Sequence, residues 1–116
     1  MLLIYGAEDA LDQDAREKCY GESTQLAYDL QAAGKYLGAS PLHSVSKATS
    51  VRMRAGKRMV TDGPFAETRE QLGGYYLIDA RDLDDAIDVA GRIPGAKWGT
   101  VEIRPIYELP NLPENS

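Results

Sequence analysis

The chain is 116 residues long, with 13 Lys and Arg against 18 Asp and Glu, one His, one Cys and a formal net charge of −5. That length suits one domain with a modest core, and the lone Cys19 can build neither an intramolecular disulfide nor a Cys-rich metal site. The acidic balance argues against a dedicated nucleic-acid binder, because phosphate contacts need a positive field.

The opening run Met1 to Tyr5 is far shorter than the roughly 20 residues of a membrane span, and no charged segment precedes it. The expectation is therefore a soluble cytoplasmic protein with no membrane partner. This run reads as a strand apolar on both faces, closed by Gly6, and such a strand must be covered from two sides. From about Asp14 to Ala33 the period becomes helical, with Ala15, Cys19, Leu26, Leu30 and Ala33 on one stripe and Gly34 placed as a C-terminal stop. Gly21 weakens this stretch by about 1 kcal/mol relative to Ala, which leaves a start near Glu22 as an alternative. Ser23 is the one polar position on the stripe. Its plain reading is a small side chain filling a tight helix–sheet contact or bonding back to a carbonyl.

A short strand or turn ends at Pro41 and is followed by Leu42-His43-Ser44. Thr49 to Arg54 and Lys57 to Thr61 answer each other across Ala55-Gly56, which reads as a hairpin. The charge is uneven here: Lys35, Lys47, Arg52, Arg54, Lys57 and Arg58 fall between Leu30 and Thr61 with no acid among them. Asp62-Gly63-Pro64-Phe65 is a turn, in which Asp62 suits an Asx-turn, Pro64 fixes φ, and Phe65, the only Phe, is expected to anchor the turn in the core. Tyr75 to Ile78 is a second strand apolar on both faces. Asp82 with Asp85 forms a capping pair for a second helix whose stripe is Leu83, Ala86, Ile87 and Ala90, ended by Gly91 and Pro94. Val101 to Ile106 is the last strand, with Pro105 marking an edge.

The order strand, helix, hairpin, strand, helix, strand fits a ferredoxin-like α+β arrangement, a mostly antiparallel sheet with two helices on one face. No third helix remains for the second face. A second subunit packed sheet against sheet about a two-fold axis covers it most economically, and the hairpin folding over it is the alternative. No domain boundary is expected within residues 1–109, and residues 110–116 read as a tail.

The segments Asp62-Gly63-Pro64-Phe65, Ala66-Glu67-Thr68-Arg69-Glu70 and Gly73-Gly74-Tyr75-Tyr76 resemble the signature of the YCII-related superfamily, specifically its DGPF branch. The resemblance continues through Leu42-His43, Asp82-Leu83-Asp84, Ile93-Pro94 and Val101-Glu102-Ile103-Arg104-Pro105, nearly the whole chain. It implies a dimeric α+β barrel, and a signalling or accessory role, since many such proteins are encoded near extracytoplasmic-function sigma factors. In the wider superfamily a helix His and an Asp before a late Pro are the proposed acid/base pair, and one relative is a dehydrochlorinase. The matching positions here are Ser23 and Ile93, so that lyase activity does not transfer.

Two functional readings follow. One is a homodimeric module binding a small molecule or a sigma-factor-related partner, with Ser23, Arg52, Glu67 and Arg104 as candidate ligand contacts. The other is a small lyase or isomerase in which His43, the chain's only imidazole and hence the residue type best suited to proton transfer, works with Asp62 or Glu67 on an anionic metabolite held by Arg52 or Arg104. One His with scattered carboxylates has no ligand spacing for a metal, and no cofactor is expected.

Overall fold

The computed structural model describes residues 1–66 and 68–113; Glu67, one of the candidate contacts, lies outside the described residues. The elements are β1 (Leu2–Gly6), α1 (Gln13–Ala32), β2 (Tyr36–Pro41), β3 (Thr49–Arg54), β4 (Lys57–Asp62), β5 (Gln71–Ile78), α2 (Leu83–Arg92) and β6 (Thr100–Ile103), with single 3₁₀ turns at Val45–Lys47 and Pro94–Lys97.

Four strands form one sheet in the order β2-β5-β1-β6, antiparallel throughout, and β3 pairs only with β4. The two strands that the sequence marks as apolar on both faces, β1 and β5, are the central ones. The strand that Pro105 follows, β6, lies at an edge, where the missing N–H costs no ladder bond. With the hairpin set aside, the order is β-α-β-β-α-β, which agrees with the expected α+β arrangement.

Register sorts the sheet into two faces. Leu2 pairs with Tyr76 and Ile103, and Ile4 with Gly74 and Val101. These positions face the helices and, with Leu26, Leu30, Val89, Ala90 and Ile93, make the core. Alternation sends Leu3, Tyr5, Leu72, Tyr75 and Leu77 to the opposite face. Both helices lie on the core side, so among the described residues this second face has no helix over it, and Leu3, Tyr5, Tyr75 and Leu77 are half-buried. Gly73 is the extra residue of a bulge opposite Ile4 and Tyr5, and Leu37 of another opposite Leu77 and Ile78.

Helix α1 runs unbroken through Gly21. Its N-cap Asp12 accepts the Ala15 N–H at 2.8 Å, and Gly34 with φ +75° ends it in the left-handed region. Tertiary anchoring outweighs the glycine: the Tyr76 hydroxyl donates to the Ser23 carbonyl at 2.6 Å, only two residues beyond Gly21. Helix α2 keeps the expected cap, Asp82 accepting the Asp85 N–H at 2.8 Å. Its buried stripe is Asp85, Ala86, Val89 and Ala90, whereas Leu83 and Ile87 are exposed. This rotation corrects the expected stripe and has a physical cause. Asp85 turns inward to an ion pair with Lys35 at 2.6 Å and to the Arg81 N–H at 3.0 Å, which joins the start of α2 to the start of β2.

The hairpin does not fold over the open face. Every residue of β3 and β4 except Ser50 is exposed, and among the described residues the pair makes no substantial contact with any other element. It projects as an arm, and the radius of gyration is 16.1 Å where a compact chain of this length gives roughly 13 Å. Its tip is the Ala55-Gly56 turn, both residues at positive φ. At its base the Gly63 N–H donates to the Ala48 carbonyl at 2.8 Å and the Ser50 hydroxyl to the Gly63 carbonyl at 2.7 Å. These bonds, with Gly63 at φ +96°, hold the Asp62 turn. Phe65 is not its anchor. The ring is 79% exposed, which corrects the core position expected from its being the only Phe.

Candidate functional site

Small residues on α1 leave a space beneath it. The stripe facing the sheet reaches the core through Leu26 and Leu30, then continues toward the N-terminus as Ser23, Cys19 and Ala15, all half-buried. Across from it β5 presents Gly73 and Gly74, which carry no side chain. Gly74 cannot be larger without strain, because a Cβ there would lie 3.0 Å from the Ser40 carbonyl oxygen and 3.3 Å from the Pro41 Cα. Short side chains opposite absent ones cannot meet, and a groove of about 490 Å³ remains between α1, β2 and β5.

Its chemistry is narrow. Ser23, Cys19 and Thr24 come from the helix, Tyr36, Tyr76 and Ile4 from the sheet, and Tyr20 and Tyr28 stand at the rim. No charged side chain lines it among the described residues. Tyr76 forms the inner wall, and its burial pushes the phenol above its ordinary range. That hydroxyl is committed to the helix backbone and is not a free proton donor for a ligand.

A second groove of about 470 Å³ adjoins the first, sharing Ile4, Cys19, Tyr20, Gly73 and Gly95, and it is walled by Glu8, Arg16, Gln71 and Trp98. Its wall is tied by charge-assisted bonds. The Glu8 carboxylate accepts the Ser44 hydroxyl at 2.9 Å and the Val45 N–H at 3.0 Å, while the Arg16 guanidinium donates to the Glu8 carbonyl at 2.8 Å.

Of the candidate residues, the first groove takes up Ser23 alone. His43 is exposed on the connection after β2 and lines neither groove, and among the described residues it makes no hydrogen bond or ion pair. Asp62 is exposed at the base of the arm, paired across the ladder with Thr49. Arg52 is exposed on the arm, and Arg104 lies beyond β6, 3.6 Å from Glu102. Sequence reasoning missed the tyrosine walls and the glycine floor. The signal was present in the four-residue spacing of Ala15, Cys19, Ser23 and Ala27, a small-residue stripe that leaves room for something else. Among the described residues no cluster of three or more His, Cys, Asp or Glu is placed to hold a metal ion, and no helix is long and apolar enough to cross a membrane.

The YCII-related domain model matches residues 1–110. The chain belongs to the YCII-related family. It is 37% identical over 123 aligned positions to an uncharacterized protein of Rhizobium meliloti (strain 1021), the alignment covering 97% of this chain and 96% of that protein. Ser23 and Ile93, the two residues that the resemblance sets against the superfamily's His and Asp, both line the first groove. One lines the groove as a hydroxyl and the other as an apolar wall.

Proposed function

We propose that this YCII-related chain is a homodimeric small-molecule-binding module, in a signalling or accessory role of the kind its DGPF-like motifs suggest, and that its ligand is an uncharged aromatic compound seated between α1 and β5. The observation that carries this reading is the uncharged lining of the 490 Å³ groove. An ionised ligand there would lose its hydration with no counter-ion to replace it, whereas an aromatic ring gains from burial against Tyr36, Tyr76 and Ile4. Ser23 and Thr24 supply hydroxyls for one or two polar atoms, the usual composition of a small-molecule pocket. The dimer reading rests on the sheet face that no helix covers: Leu3, Tyr5, Tyr75 and Leu77 are only half-buried there, and a ferredoxin-like sheet covered by a second copy of itself gives a dimeric barrel.

Calorimetric titration with neutral 2-naphthol and with 2-naphthoate tests the ligand assignment. Naphthol is expected to bind at least tenfold more tightly than naphthoate, and Ser23→Phe to abolish naphthol binding while the circular dichroism spectrum is retained. Equal affinity for the two compounds, or binding indifferent to Ser23→Phe, would overturn it.

A further inference from the structure

The arm is the part of the molecule that its own chain leaves least explained. Two-stranded hairpins are marginal in water without a third layer, and among the described residues this one makes no substantial contact with another element. Register gives it two unlike faces. Val51 stands opposite Val60 and Met53 opposite Arg58 on one side, while Arg52 stands opposite Met59 and Arg54 opposite Lys57 on the other. Val51, Met53, Met59 and Val60 are each more than half exposed. Four basic residues and Asp62 give the arm a charge of +3, which leaves −8 on the rest of a chain whose net charge is −5.

We propose that the arm docks on a second copy of this chain, with the face that carries Val51, Met53, Arg58 and Val60 against the partner's acidic body. The inference rests on the homodimer reading and extends it to a segment that the sheet-to-sheet contact does not need. Charge selects the occupant. A +3 arm is repelled by another arm and attracted by a −8 body, and each copy brings one of each. Geometry agrees, since six-residue strands reach about 20 Å from the base of the arm. Two arms exchanged about a two-fold axis form a closed, self-complementary contact that leaves no further copy to recruit. Phe65, three residues past the arm's last residue Asp62, is a further exposed apolar side chain.

Hydrogen exchange of the peptides covering residues 49–62, followed over a hundredfold range of protein concentration alongside sedimentation velocity, reads this directly. Arm amides are expected to exchange at least tenfold more slowly in the dimer than in the diluted monomer. The double variant Val51→Lys, Val60→Lys is expected to raise the dimer Kd at least tenfold while leaving the exchange of β1 and β5 in the monomer unchanged. A dimer whose arm exchanges at the rate of an unstructured peptide, or whose Kd ignores the double variant, would overturn the arm proposal and leave the homodimer standing. A chain that stays monomeric throughout would overturn both. Protection of the arm by an added acidic protein, with none on self-association, would reassign the surface to that class of partner and reject the exchange.

Discussion

Asp85 shows how one side chain sets the position of a helix. The hydrogen bond from Lys35 is the largest influence holding its carboxyl below the ordinary value of 3.8, followed by the bond from the Arg81 N–H. A carboxyl whose folded pKa is depressed contributes stability above its unfolded pKa, and loses that contribution as pH falls through the folded value. Asp85→Asn, which keeps the shape and removes the charge, is thus expected to lower the melting temperature at pH 7. Thermal scans from pH 7 to pH 2 should show wild type and variant converging once the pH drops below the ordinary carboxylate range. Tyr76 is the mirror case at alkaline pH. Its raised phenol pKa contributes stability that is present below the unfolded value near 10 and is lost as pH climbs through the folded one. Tyr76→Phe removes the 2.6 Å bond to Ser23 and should cost about 1 kcal/mol at pH 7, with the variant's stability falling less between pH 9 and 11 than that of wild type.

At the scale of elements, the arm carries a local strain that invites repair. Ala55 sits at φ +51° ahead of Gly56, the two-residue turn in which Asn-Gly is the favoured pair. Ala55→Asn should stabilise the hairpin by about 1 kcal/mol, seen as roughly fivefold slower exchange of the arm amides with little change elsewhere. The Ala55-Gly56 turn was legible in the sequence because turn chemistry is local, as were the Asp82 cap and the apolar strands that became β1 and β5. The position of Phe65 was not, because nothing local says whether an aromatic ring faces its own core or another surface. Nor was the rotation of α2, set by Lys35 fifty residues away from Asp85. Ser23 was visible as an irregularity in the α1 stripe, but the groove above it needed Gly73 and Gly74 to be brought opposite, a long-range pairing that no window of the sequence contains.

For the whole molecule, the two faces of the sheet divide the work. The groove lies on the helix face, lined mainly by α1, β2 and β5 of one chain, whereas Leu3 and Leu77 do not line it and alternate to the face left for the proposed second copy. Assembly and ligand binding should therefore be separable. In wild type the melting temperature is expected to rise with protein concentration, because association stabilises the folded state by mass action. Leu77→Lys places an ammonium in the middle of the open face, where a docked partner would have to desolvate it, and should remove that concentration dependence and give a monomer by light scattering. The same monomer should bind 2-naphthol within about threefold of wild type, since a residue pointing to the opposite face contributes nothing to the tyrosine-lined wall. Loss of naphthol binding together with the dimer would mean that the partner completes the groove, and the site would then have to be redrawn across two chains.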